Sequence, residues 1–434
     1  MNDALHALCK QSPEEIFAQL PAGRVGEADR QYLEEVLAAG FRNTIDPAGI
    51  FSRMESAFAQ RFGVRYAILH NSGTGTMQSC LLAAGVGPGD EVIVPPLTAV
   101  STAIVVVQCG AVPVFADIDP DTFNIDPADV ARKITPYTRA IIPVSLYGLS
   151  PDYDPIMHLA AEHGLTVIED NAECFLGEYK GRMVGAIGHA ASFSFQASKH
   201  MTSAGDGGVV ITDDEEYARN IRKRSCLGYR TLGAKPGDVF VPRDVRQDIG
   251  FERHDVMGYN FRMSAAQAAL ARGQLERLEA LVAARIHIAR EYQQVLTDER
   301  CDWLIPPVVP DGCLHTYWTW VCKLDEDRAG VDWRTFRRIF IAHGGDGLYS
   351  AWRPVHLEPV FRNLAFYARP DQAPNHDPRY RGAVKSYGPG DCPVCEALQP
   401  RLCQFKTSMQ SLAAVESQVG ALRATIRAIQ GRSR

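Results

Sequence analysis

Tyr66-Ala-Ile-Leu69 leads through His70 and Asn71 into Ser72-Gly73-Thr74-Gly75-Thr76, and a helix-length segment to Ala84 then separates it from Glu91-Val-Ile-Val94. An apolar run, a turn of small residues, a helix and a second apolar run make a strand-helix-strand unit. Outward from this unit the pattern recurs at Val112-Pro-Val-Phe115, Ala140-Ile-Ile-Pro-Val144, Thr166-Val-Ile168, Ala191-Ser-Phe-Ser-Phe195 and Gly208-Val-Val-Ile-Thr212. Segments such as Asp154 to Glu162 supply the crossovers that parallel strands require. The expected fold is α/β, a mainly parallel sheet of about seven strands between helices.

Beyond this region the period lengthens. Ser264 to about Leu296 reads as one linker helix, with Ser264 as N-cap and Leu270, Leu275, Leu278 and Leu281 towards one side. A smaller α/β part follows, with a strand at Trp318-Thr-Trp-Val-Cys322, a helix from Trp333 to His343 and a terminal helix from Ser411 to Gln430. The expected division is residues 1–263 for an N-terminal segment and large domain, and 264–434 for the linker helix and small domain. Residues 361–393, rich in Pro, Gly, Tyr and charge, read as an irregular excursion that could shape a substrate site.

Composition narrows the function. The 434 residues carry 45 Lys+Arg and 51 Asp+Glu, a formal charge of −6 that disfavours nucleic acid as a partner. Hydrophobic residues at 46% and charged residues at 22% exclude a disordered or collagenous chain. Met1 to Glu15 lacks the pattern of a signal peptide, and Gln108, Gly110 and Pro113 interrupt the most apolar stretch, Ala103 to Ala116, so no membrane partner is expected. The 11 cysteines are odd in number and scattered through apparent core, which fits reduced thiols and a cytoplasmic location.

Three strand ends carry chemistry, in the place where open α/β sheets bind ligands. Ser72 to Thr76 closes a strand and opens a helix, offering small residues and free amides to an anion such as phosphate; alone it reads more readily as a plain strand-to-helix turn. Thr166-Val-Ile-Glu169-Asp170 ends in two acids, of which alternation lets only one face a given cavity. Ser194-Phe-Gln-Ala-Ser-Lys199-His200 places a lysine between an aromatic strand and Gly205-Asp206-Gly207-Gly208, where partial desolvation suits Schiff-base chemistry. Pyridoxal 5′-phosphate needs all three: an anion cradle, an acid for its ring nitrogen and a lysine for its aldehyde. A dinucleotide fold fits less well, because no Gly-x-Gly-x-x-Gly follows a strand.

These runs, with Asp90-Glu-Val-Ile-Val-Pro95, Gly258-Tyr-Asn260-Phe-Arg-Met-Ser264, Pro354-Val-His-Leu357 and Cys392-Pro-Val-Cys395-Glu396, resemble the DegT/DnrJ/StrS family. The resemblance implies a fold-type I, pyridoxal-phosphate-dependent aminotransferase acting on keto sugars, usually nucleotide-linked. Position by position, it implies that Lys199 holds the cofactor as a Schiff base and carries the proton during transfer, while Asp170 pairs with the pyridinium nitrogen. Gly73, Thr74, Gly75 and Ser194 fall at the phosphate. Asn260 matches an asparagine reaching that phosphate from the other subunit, which implies a homodimer with shared sites. Ala99 stands where many members have an aromatic stacked on the ring, and Glu173 where Gln or His is usual beside the phenolic oxygen. Asp206 replaces the commoner Glu of the Gly-rich turn.

The expected activity is amino transfer from glutamate or glutamine to a keto sugar, most economically a nucleotide-linked one. A cyclitol ketone of the inosose type is the alternative substrate. A pyridoxal-phosphate-binding dehydratase or regulator is the alternative of another class, and an intact Lys199 weighs against it. No metal is expected, since Cys392 and Cys395 lack a second pair. His200 is expected to point away from the site, and Tyr317, Trp318 and Trp320 read as core packing.

Overall fold

The apolar runs at 66, 91, 112, 138, 166, 190 and 208 become strands buried almost without interruption on both faces, as a sheet covered by helices on each side demands. In the computed structural model, which describes residues 2–40, 48–236 and 241–431, the strands in chain order are β1 (Tyr66–His70), β2 (Glu91–Val94), β3 (Val112–Phe115), β4 (Thr138–Ile141) and β5 (Thr166–Asp170). After a small hairpin, β6 (Glu178–Tyr179) with β7 (Arg182–Met183), come β8 (Ala190–Ser194) and β9 (Gly208–Thr212). The large sheet has the order β1-β9-β8-β5-β4-β2-β3. All seven expected strands are present, and the sheet is mainly parallel as expected.

One strand reverses. β9 pairs antiparallel with both β8 and β1, whereas β8-β5-β4-β2-β3 pair in parallel. The physical reason lies in the connection: no helix intervenes between Ser194 and Gly208, and a short return can only lay the next strand antiparallel. Because β9 is flanked antiparallel on both sides, β1 again runs with β8 and β5. The ends of β1, β5 and β8 therefore share one edge of the sheet with the start of β9.

A second, antiparallel sheet has the order β10-β11-β13-β12, from β10 (Leu304–Ile305), β11 (Thr319–Leu324), β12 (Leu348–Ser350) and β13 (Leu402–Lys406). The linker is two helices, Ala265–Leu275 and Leu278–Asp298, where one was expected. A capping box of Ser264 and Gln267 starts the first. The break at Arg277 lets its guanidinium donate to the Gly273 carbonyl at 2.9 Å and pair with the buried Asp29 carboxylate. Helices Glu27–Ala38 and Ile50–Phe62, ahead of the periodic region, were not expected; Phe58 and Phe62 of the latter pack on Phe193 at 5.4 and 4.8 Å.

Residues 361–393 form only short turns, but they are held down. The Tyr380 hydroxyl donates to the buried Glu91 carboxylate at 2.6 Å and the Tyr387 hydroxyl to the Pro113 carbonyl at 2.9 Å. No described helix is long and apolar enough to cross a membrane.

Candidate active site

The three strand-end motifs converge on one cavity of about 330 Å³, lined among others by Gly73, Thr74, Ala99, Asp170, Glu173, Ser194, Lys199 and Asp206. A cleft of about 660 Å³ elsewhere holds more space but brings no buried acid and amine together, so chemistry rather than volume selects the site. The cradle comes first. Ser72 caps the helix Gly73–Ala83 by accepting the Gly75 amide at 3.0 Å, which leaves the first-turn amides of Gly73 and Thr74 without a helical acceptor. Its floor is tight: a Cβ on Gly73 would lie 2.8 Å from that of Ser194, and one on Gly208 would lie 3.0 Å from the Gly73 nitrogen. Only glycine lets β9 and the helix start approach this closely.

The two consecutive acids at the end of β5 separate as alternation requires. Glu169 turns away and accepts the amides of Gly185, Ile187 and Gly188 at 2.7, 2.8 and 2.6 Å. Asp170 faces the cavity, its Oδ2 accepting the Thr102 hydroxyl at 2.9 Å and its Oδ1 the Ala172 amide at 3.2 Å. Burial pushes its pKa up, against the lowering pull of Thr102, Ala172 and the Lys199 charge. A second hydroxyl, that of Thr98, stands 3.1 Å behind Thr102.

Lys199 is buried, its Nζ 3.1 Å from Glu173 Oε1 and 4.2 Å from the centre of the Trp318 ring. Glu173 is held from behind by the Tyr147 amide, which donates to Oε2 at 3.0 Å. Tyr147 has a left-handed backbone, φ 59°, and this aims its amide at the carboxylate. Trp318 donates its indole N–H to the Ser198 carbonyl at 3.0 Å and faces Trp352 at 6.0 Å.

Seven of the nine residues singled out in the sequence line this cavity. Gly75 does not, being turned to the Phe261 ring, where a Cβ would come within 3.1 Å. Asn260 is exposed, its side-chain oxygen accepting from Arg262 at 3.0 Å, while its carbonyl accepts from Asn71 at 3.4 Å beside the cradle. His200 points away and bonds the Thr316 carbonyl at 2.9 Å, burial driving its pKa far down. Among the described residues no group of three or more His, Cys, Asp or Glu is placed for a metal.

Two expectations are corrected. Trp320 is core, but Trp318 is cavity wall, because the strand begins only at Thr319 and Trp318 lies outside the alternation that buries Trp320. Residues 361–393 line no part of this cavity, because Tyr380 and Tyr387 fasten the segment to β2 and β3 near their starts, the opposite end from Asp170. Trp352 and Thr102 were not anticipated. Thr102 could have been, as a hydroxyl in the first turn of the otherwise apolar Ser101–Gln108 helix; Trp352 carries no local signal.

The DegT/DnrJ/EryC1/StrS aminotransferase family matches over residues 24–384. A spore coat polysaccharide biosynthesis protein of Bacillus subtilis is 36% identical over 355 residues, covering 80% of this chain and 86% of that protein. GDP-perosamine synthase of Caulobacter vibrioides is 35% identical, over 79% of this chain and 86% of its own. An aminotransferase structure from Psychrobacter cryohalolentis superposes with TM-score 0.78 at 27% identity, over 95% of this chain and 99% of that one. With the geometry above, these likenesses place the chain in the DegT/DnrJ/EryC1/StrS aminotransferase family, and it is a pyridoxal-phosphate-dependent aminotransferase.

Proposed function

We propose that the protein moves an amino group from glutamate or glutamine to a keto sugar, nucleotide-linked, in amino-sugar biosynthesis. The observation that carries this reading is the meeting of Lys199, Asp170 and the Gly73 helix start in one buried cavity. The donor set fits pyridoxal 5′-phosphate: first-turn amides with the Thr74 and Ser194 hydroxyls for its phosphate, Asp170 for its ring nitrogen, and an amine within the same walls for its aldehyde. The bound cofactor supplies an electron-withdrawing ring and a carbonyl that takes up the donor's amino group.

The protein's own residues do the rest. Asp170, desolvated and anchored by Thr102, keeps a proton at the ring nitrogen. Lys199 moves a proton between the two carbons that exchange the amino group, and Glu173 gives its ammonium a partner whenever it is free. Trp318 and Trp352 supply aromatic faces to a cavity to which Ala99 contributes none.

The sugar assignment is supported by the likeness to GDP-perosamine synthase. A carbocyclic ketone is the second reading, favoured by the likeness to 3-amino-5-hydroxybenzoic acid synthase, TM-score 0.77 at 25% identity. The reading also includes a homodimer in which Asn260 reaches the partner's phosphate, a cofactor-binding part ending near residue 263, and a cytoplasmic location, which all eleven cysteines being free accommodates.

The visible spectrum of the purified protein tests it. A yellow band is expected that Lys199→Ala abolishes and that glutamate or glutamine bleaches, with product formed when a nucleotide-linked keto sugar follows. A band that survives Lys199→Ala, or one that no amino donor changes, would sink the assignment.

A further inference from the structure

We propose that Arg285 is the positioning residue for Lys199, fixing the Ser198-Lys199 backbone, and with it the lysine amine, against the small-domain wall of the cavity. Arg285 lies in the helix Leu278–Asp298 and is buried, yet it does not line the cavity. From Nη2 it donates to the carbonyls of Ser198 at 3.0 Å and Lys199 at 3.1 Å; from Nη1 it donates to the Trp318 carbonyl at 2.5 Å and the Thr407 hydroxyl at 3.2 Å. Among the described residues no carboxylate pairs with it, and burial lowers its pKa to about 9.

A buried cation without a counter-charge is costly, and an apolar side chain of that length would serve packing better. What the guanidinium supplies is a planar fork, one arm on the lysine turn and the other on Trp318, the residue that leads into β11. A lysine ammonium cannot reproduce that geometry. Trp318 closes the loop, since its indole N–H donates to Ser198 while its ring faces the Lys199 amine. Arg285 thus sets ring and amine relative to each other through two backbone carbonyls.

A second cation converges on the same atom. Arg24 Nη2 donates to the Lys199 carbonyl at 2.8 Å. The Arg24 carbonyl is in turn gripped by Gln274 at 2.7 Å and Arg277 at 3.1 Å, and Arg277 is paired with the buried Asp29. The N-terminal arm and the linker therefore both end on the backbone of one lysine.

The inference rests on the reading of Lys199 given above, and the experiment separates the two. Cofactor-free full-length protein is mixed with pyridoxal phosphate and reduced with borohydride at timed intervals; labelled peptides then give the rate at Lys199 against the exposed Lys10. Arg285→Met is expected to slow labelling of Lys199 roughly 10- to 100-fold while Lys10 and the far-ultraviolet dichroism stay unchanged. Arg285→Lys is expected to recover part of the rate. A folded Arg285→Met protein labelled at Lys199 within about twofold of wild type overturns the inference. Should that variant not fold, Arg285→Lys and Arg24→Met each remove one arm of the grip, and wild-type rates in both overturn it equally. Wild-type Lys199 labelled no faster than Lys10 would instead defeat the cofactor reading itself.

Discussion

The two walls of the cavity differ in how their residues arrive. The wall on the large sheet is built from strand ends: Gly73 and Thr74 follow β1, Asp170 ends β5 with Glu173 just beyond it, and Ser194 ends β8 with Lys199 just beyond it. Each group is placed by the few residues before it. The opposite wall, Trp318 and Trp352, comes from the small sheet and reaches the cavity only because the linker helices dock that sheet there. The difference teaches a division of labour: the lysine and the acids sit on strand ends of the large sheet, and the aromatic wall is carried in by a different sheet.

That division is open to attack from its strongest point. Asp170→Asn is expected to lower kcat by roughly 10²- to 10³-fold, because the amide cannot hold the ring proton. The same variant carries a pH signature in cofactor-free protein. Burial raises the Asp170 pKa, so the folded state holds its proton more tightly than the unfolded chain, and this contribution to stability is present in acid and lost as pH rises through the raised value. The melting temperature of Asp170→Asn should therefore gain on wild type as pH rises above the ordinary carboxylate range, and a constant offset would refute the assigned cause.

Gly73→Ala tests the cradle, since its Cβ would press on Ser194. Titration with pyridoxal phosphate should show about tenfold weaker binding, with one charge-assisted hydrogen bond lost. On the other wall, Trp318→Leu should raise the KM for the keto acceptor about 3- to 10-fold and leave the visible band and the donor half-reaction near wild type. A variant that instead destroyed the band would erase the division between the walls. Glu169→Gln should have the smallest effect on turnover, none beyond about twofold, while costing about 1–3 kcal/mol in denaturant unfolding because three amides lose a carboxylate acceptor.

The same contrast explains what could be read in advance. β1 to β5, β8 and β9 were legible because strands buried on both faces are continuous apolar runs. That Asp170 and Lys199 share one cavity was legible because cofactor chemistry prescribes such an acid and amine, in that order. Trp318 was misassigned because it stands two residues from Trp320 in a strand-like run, and the small sheet's own boundary, starting at Thr319, puts them in different surroundings. Trp352 and Arg285 were not legible at all. Their partners lie far away in sequence, and nothing local distinguishes Arg285 from Arg290, the other arginine of its helix. The break at Arg277 was likewise invisible, because it is driven by Asp29, in a helix the apolar pattern did not reveal.

The reversed β9 also dictates an order of events as the chain is made. Among the described residues β1, with the cradle at its end, has no sheet partner except β9, which pairs Gly208 with His70 across more than a hundred residues of intervening chain. Pairings of such separation close late, after β2 to β5 have their crossovers. A ribosome-bound chain that has emerged only as far as β5 therefore carries the acid for the ring nitrogen but neither the lysine nor a docked cradle. Cofactor capture is expected to be a closing event of folding, and pyridoxal phosphate supplied during refolding should speed recovery of the native chain little until β9 has closed on β1.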